Sequence, residues 1–274
     1  MAAGTGGTSV LGNRVTRVED PRFLTVGGTY CADLRDPLLD GALHATFVRS
    51  TVAHGTVTGI DPSDALRLPG VFAVVTRAEL DLAPLPPAVP FLNAAMARPF
   101  LATDTVRFVG EPVAVVLAES QAEGADAAEA VWVDIDPLPS VVDPEQAATN
   151  EVLLFPDAGT NLAVEFNFGR DEDLFVGCEV VVTERLVNQR LAAVPLEVRS
   201  AAAAWAPDGR LHLFCSTQNA HGVRDALVAS YELDPGQVRV VAPDVGGGFG
   251  PKIGASAEDL LLPWLARHAG RPVR

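Results

Sequence analysis

Residues 243–254 read PDVGGGFGPKIG, the densest cluster of glycines in the chain. A β-branched run, QVRVVA (237–242), precedes it, and SAEDLLLPWLARHAG (256–270) follows with the signature of a helix. Strand, glycine loop and helix in that order present backbone N–H groups to a ligand. Spacing tests two known cradles. A Walker loop needs GxxxxGK and then Ser or Thr. Counted from Gly246, the second glycine position holds Pro251, and Lys252 is followed by Ile253. The dinucleotide fingerprint needs GxGxxG opening directly into a helix. Gly246 and Gly248 begin it, Pro251 breaks it, and the helix starts several residues late. Both fits fail. What remains is bare backbone beside a rigid Pro-Lys, with one large ring, Phe249, among the glycines. Such a loop lets a bulky ligand reach the main chain, or it is a tight surface turn with Phe249 folded into the core. The residues alone leave these alternatives even.

Outward from the loop, NAHGVRDALVASYEL (219–233) reads as an amphipathic helix ended by Asp-Pro-Gly. In the following helix Ser256 is the expected N-cap with Asp259 at capping-box distance, and Gly270 with Pro272 supplies the stop. FVGCEVVVTERLVNQR (175–190) and RSAAAAWAPDGRLHLFCSTQ (199–218) read as strand-forming runs, with Asp208-Gly209 as a hairpin turn. PLPSVVDPEQAATNEVLLFPDAG (137–159) is punctuated by proline and marks a domain boundary. Before it, ALHATFVRS, PGVFAVVT, VRFVGEPVAVVLAES and VWVDID are strands. The alanine-rich AESQAEGADAAEAV is a helix, and DPSDALRLPG a short one capped by Ser63 or Asp61. LDLAPLPPAVPFLNAAMARPF (80–100) offers too few N–H donors for regular structure and is a loop. The fold class is α+β. The expected division is a disordered tail (1–12), a first domain (13–145), a linker (146–160) and a second domain (161–274).

Lys and Arg total 20 against 35 Asp and Glu, a formal charge of −15. A field of that sign repels phosphate backbones and anionic surfaces, so neither nucleic-acid binding nor membrane insertion is expected. Cys31, Cys178 and Cys215 form no CxxC or Cys/His spacing and no disulfide framework, which fits a reducing cytoplasm. The start, MAAGTGGTSVLGN, lacks the basic and apolar regions of a signal peptide. His44, His54, His212, His221 and His268 are scattered without metal-ligand spacing.

Several stretches carry a resemblance. In the first half they are GNRVTRVEDPRFLTVGGTYCADL, FVRSTVAHGTVTGID, PGVFAVVT, RFVGEPVAVVLAES and DAAEAVWVDIDPLPSVVD. In the second they are NQRLAAVPLEVRSAAAAW, STQNAHGVRDALV and VVAPDVGGGFGPK. Collinear over about residues 12–274, they resemble the large subunit of the molybdenum hydroxylases, the family of xanthine dehydrogenase, aldehyde oxidase and aerobic carbon monoxide dehydrogenase. The resemblance implies an α/β-hammerhead domain followed by the first part of a molybdopterin-binding domain. It implies a molybdenum–molybdopterin cofactor in the cytosine dinucleotide form, with iron–sulfur and FAD groups only on partner subunits.

The resemblance also assigns residues. Gly247, Gly248, Phe249 and Gly250 would lie against the cofactor, and Gln218 would hydrogen-bond a molybdenum oxo ligand. From the residues alone, Gln218 is a capping amide of the helix that follows it. Glu197 and Arg199 match a family Glu-Pro-Arg stretch that holds strands around the site, with Val198 for the Pro and Ser200 for the usual Gly. Glu111 reads as a turn residue, and Lys252 either meets an anionic pterin group or is solvated. The family's C-terminal glutamate base has no counterpart here, so no complete catalytic set and no direct metal ligand is expected in this chain. The expected partners are a chain carrying the remaining molybdopterin-binding domain, an iron–sulfur subunit and an FAD subunit. The alternative is a non-catalytic remnant, a hammerhead interaction module without cofactor. A strand begun at residues 271–274 is expected to leave an exposed sheet edge.

Overall fold

The computed structural model describes residues 11, 16–87, 89, 91–166, 168–169 and 174–274. Leu11 apart, the expected tail (1–12) lies outside the described residues. A short helix, α1 (Asp20–Thr25), leads into β1 (His44–Arg49), β2 (Gly55–Asp61), β3 (Val71–Thr76), β4 (Thr105–Val106), β5 (Pro112–Ala118) and β6 (Trp132–Pro137). These strands make two antiparallel sheets, ordered β1-β5-β3 and β4-β2-β6. All of β5, PVAVVLA, is buried. A strand apolar on both faces suits a central position with both faces covered. One cover is α2 (Gln121–Glu129), which packs on β1 and β5 with its N-terminus capped by Ser120. It comes close because Gly124 has no Cβ, which would strike the Thr46 hydroxyl. The run 61–70 forms a single 3-10 turn, Ala65–Arg67, rather than an α-helix. The Asp61 carboxylate accepts the Ser63 N–H, as a turn residue does.

After α3 (Pro144–Ala148), the second half builds β7 (Ala201–Trp205), β8 (Leu211–Cys215), α4 (Ala220–Tyr231), β9 (Val238–Val241) and α5 (Ala257–Ala269). β7 and β8 form the hairpin expected around Gly209, whose φ is 83°. β9 joins β8 in parallel after the α4 crossover. Asn219 caps α4, and Ser256 and Asp259 form the reciprocal capping box of α5.

Two expectations are corrected. Residues 175–190 form no strand; the segment is exposed, and among the described residues no backbone group from 179 to 190 pairs with another strand. A β-prone sequence becomes a strand only where another edge supplies partners. The segment 272–274, in turn, is paired on both sides. Val273 is fully buried and bridges Leu43 and Ala203. Its N–H and C=O bond those of Ala203 at 3.0 and 2.7 Å, while Leu43 N–H donates to Pro272 O and Arg274 N–H to Leu43 O, both at 2.8 Å. The two halves are therefore stitched through this segment and share one core, in which Leu43, Phe100 and Leu117 join Leu213, Leu227, Leu261 and Leu265.

Candidate functional site

The glycine loop folds back over the end of β8. Past Cys215, the buried Ser216 and Thr217 lead to Gln218. Lys252 O accepts the Gln218 N–H at 2.9 Å and the Thr217 hydroxyl at 3.0 Å. Gly250 N–H donates to Gln218 Oε1 at 2.9 Å. These contacts cross-link loop and strand end at three points. Close approach explains the glycines: a Cβ on Gly246 would strike Glu197, and one on Gly248 would strike the Gln218 side chain. Gly247 adopts a φ of 101° that side chains rarely tolerate.

The role of Gln218 as helix cap is overturned, because Asn219 Oδ1 takes the Gly222 N–H at 2.9 Å. With its Oε1 fixed by Gly250, the Gln218 amide presents its Nε2 donor without a partner among the described residues. The N–H groups of Gly247, Gly248 and Phe249 also have none. Gly250 is different: its N–H is committed to Gln218 and is not offered to a ligand. Phe249 is not folded into the core. The residue is 74% exposed and its backbone is left-handed, with φ 52°. Bulky residues hold that conformation only where the surroundings impose it, and such positions concentrate at functional sites.

Beneath the loop lies a group that the sequence reading misplaced. Lys252 is neither solvated nor turned toward a ligand; it is 1% exposed. Its Nζ donates to Glu197 O at 2.8 Å, Glu197 Oε2 at 3.0 Å and Ser216 Oγ at 2.8 Å. All three ammonium protons are used. Glu197 Oε2 also accepts the Ser216 hydroxyl at 2.6 Å and the Gly246 N–H at 2.7 Å. Burial pushes the Glu197 carboxyl up, but Ser216, Gly246 and Lys252 together outweigh it and hold it below the usual range. The available signal was composition: Lys252 is the only lysine in the sequence, every other cation being Arg. A compact ammonium fits three converging acceptors where a planar guanidinium does not.

Arg199 is expected to hold strands around the site; its partners are instead on helix α5 and the glycine loop, since it meets Asp259 at 3.3 Å and donates to Pro251 O. Burial raises the Asp259 carboxyl, against the hydrogen bonds from Ser256 and the charge of Arg199. Glu111 sits in its turn, 4% exposed, taking the Arg107 N–H at 2.5 Å. A cleft of about 870 Å³ runs between the halves, from Arg49, Arg98 and Phe108 to Asn219, Ile253 and Glu258. It opens beside the loop. Among the described residues no group of three His, Cys, Asp or Glu could hold a metal ion, and no helix is long and apolar enough to cross a membrane.

The molybdenum–pterin group fits this arrangement. The outward face of the loop offers neutral donors, and the carboxylates beside it are engaged: Glu197 is turned inward and neutralised by Lys252, and Asp244 is paired with Arg22.

Comparison with known proteins identifies the domains that carry this site. Residues 26–139 match the family described as aldehyde oxidase and xanthine dehydrogenase, a/b hammerhead domain. Residues 154–274 match the molybdopterin cofactor-binding domain. The nicotine 6-hydroxylase large subunit of Paenarthrobacter nicotinovorans is 37% identical over 97% of this chain and 33% of its own length. The carbon monoxide dehydrogenase large chain of Afipia carboxidovorans is 35% identical over 96% of this chain and 34% of its own. The structure of quinoline 2-oxidoreductase from Pseudomonas putida 86 superposes with a TM-score of 0.84 at 36% identity, covering 95% of this chain and 34% of that one. The chain thus spans about a third of the relatives it matches. Hammerhead domain followed by part of a molybdopterin cofactor-binding domain, it belongs to the large-subunit family of the molybdenum hydroxylases.

Proposed function

We propose that this chain forms one wall of the active site in the large, molybdenum-bearing subunit of a molybdopterin-dependent oxidoreductase acting on aldehydes, N-heterocycles or carbon monoxide. The observation that carries the reading is the bond from Gly250 to Gln218, which fixes the amide and leaves Nε2 as an oriented donor. A neutral, pre-oriented donor stabilises charge on a ligand without competing as an anion. Beside it the N–H groups of Gly247, Gly248 and Phe249 would hold the cofactor, with the exposed Phe249 ring as a flat apolar surface. When bound, the cofactor supplies the two-electron redox chemistry of hydroxylation.

Further parts belong to the same proposal: the cytosine dinucleotide form, a polypeptide with the rest of the cofactor domain, iron–sulfur and FAD subunits, and a cytoplasmic location. Subunit status in the relatives' names, such as the γ subunit of the 6-hydroxypseudooxynicotine dehydrogenase complex of Paenarthrobacter nicotinovorans, supports a multi-chain assembly. Purification of the tagged chain from its native host, with molybdenum and released cytidine monophosphate quantified, tests the reading. Both are expected in near-stoichiometric amount together with a cofactor-domain polypeptide. A well-folded chain without metal or partner overturns it. In the assembled enzyme, Gln218→Ala is expected to lower turnover with cofactor still bound.

A further inference from the structure

Three donors converge on one oxygen beneath the glycine loop. Glu197 Oε2 accepts the Gly246 N–H at 2.7 Å, the Ser216 hydroxyl at 2.6 Å and Lys252 Nζ at 3.0 Å. The other oxygen, Oε1, is buried and has no hydrogen-bond partner among the described residues. A carboxylate can share its donors between two oxygens. This one draws the two ends of the loop, Gly246 and Lys252, to a single atom. Ser216 Oγ and Lys252 Nζ stand 2.8 Å apart, yet they are not a nucleophile and its base. Both are buried, the hydroxyl proton is committed to Glu197, and all three ammonium protons are donated.

We infer that Lys252 and Glu197 are positioning residues, which close residues 246–252 into a ring and thereby aim the Gln218 amide. The path is short. Lys252 holds Glu197 by its ammonium, while its carbonyl accepts the Gln218 N–H at 2.9 Å and the Thr217 hydroxyl at 3.0 Å. Pro251, whose φ is fixed by its ring, couples Lys252 to Gly250. Gly250 N–H then meets Gln218 Oε1 at 2.9 Å. Between the fastened ends, Gly247, Phe249 and Gly250 hold φ of 101°, 52° and 97°. Phe249 keeps such a conformation only where the surroundings over-determine it. Arg199 also donates to Pro251 O, but its side chain is 38% exposed where that of Lys252 is 1%. Lys252 is thus the anchor shielded from water. The inference deepens the role given to Gln218 under Proposed function and rests on it.

The experiment is residue-resolved amide exchange by NMR on the 274-residue chain and on its Lys252→Met, Glu197→Gln double variant. Neutralising both partners spares most of the fold, so a purely structural pair would leave Gly250 as protected as before. Exchange at Gly250 is instead expected to quicken at least ~5-fold relative to the β7 and β8 amides. An unchanged ratio, with β7 and β8 still protected, overturns the inference. If the double variant loses that protection, Ser216→Ala is read in its place. It removes one contact from each partner and strands no charge, and a shift of at least ~2-fold in the same ratio is expected. An unchanged ratio there is equally fatal. Molybdenum is assayed separately in the parent chain purified from its host. A loosened Gly250 without metal in the parent upholds the ring closure and defeats the reading of Gln218 as a cofactor donor. Metal with an unmoved Gly250 does the reverse.

Discussion

Lys252 Nζ lies 3.0 Å from Glu197 Oε2, joining the end of the glycine loop to the segment that precedes β7. Both side chains are largely removed from water, at 1% and 12% exposure. Removing one partner of such a pair strands the other charge, at a cost of about 3–5 kcal/mol, whereas neutralising both is far milder. Lys252→Met is therefore expected to destabilise the chain by about that much, and Lys252→Met with Glu197→Gln to recover at least half. Lys252→Arg should not rescue, because its fork cannot reproduce three converging bonds. Urea unfolding of the four proteins measures this. A double variant as unstable as the single one would show that lysine packing, not charge, matters.

Phe249 stores strain that its exposed ring does not offset by burial. A left-handed non-glycine residue costs about 1–2 kcal/mol, and Asn tolerates the conformation better. Phe249→Asn is expected to leave the cofactor-free chain as stable or up to ~1 kcal/mol more stable, while weakening pterin retention in the assembled enzyme. Urea midpoints and pterin fluorescence read the two effects. A loss of stability above ~1 kcal/mol would mean that the ring packs on the protein.

What could be read from sequence divides by the distance to the partner. The capping box of α5 was legible because Ser256 and Asp259 satisfy each other within one turn. So was the hairpin at Gly209, whose φ the turn itself demands. The environment of Lys252 was not legible, since its acceptors come from Glu197 and Ser216, which only the tertiary fold brings together. Likewise 175–190 has the composition of a strand, but pairing depends on an edge that composition cannot reveal. Val273 is the converse: a few terminal residues gained two partners, Leu43 and Ala203, from opposite halves. At the site, Gln218 and the glycine loop came from resemblance, and the structure added that Gly250 orients the amide.

Pro263 inside α5 yields a third prediction. Proline distorts the preceding turn and separates its hydrogen-bonding groups. The Tyr231 hydroxyl fills the opening, donating to Leu260 O at 2.7 Å and accepting the Trp264 N–H at 2.9 Å. Burial pushes this phenol up, so it stays neutral. Tyr231→Phe leaves both backbone groups unsatisfied, at an expected cost of about 1–3 kcal/mol. Thermal unfolding measures the loss, and fast exchange at the Trp264 amide should accompany it. An unchanged melting temperature would mean that water replaces the hydroxyl without penalty.

The start of the glycine loop carries its own acid sensitivity. Asp244 takes bonds from Arg22 at 2.6 and 2.7 Å and from the Thr29 N–H at 2.8 Å, docking the α1 segment against the loop. The Arg22 hydrogen bonds, with that N–H, hold the carboxyl down at about 2, against about 3.9 for an unfolded Asp. The folded value is the lower one, so this contribution is complete above about pH 4 and is lost as the pH falls through about 2. Arg22→Gln moves the folded value back toward the ordinary one, so stability should fall less steeply across that window than in the parent chain. Urea midpoints followed by tryptophan fluorescence at about pH 5 and about pH 2.5 compare the slopes. Equal slopes would show that this pair does not contribute to the acid sensitivity of the fold.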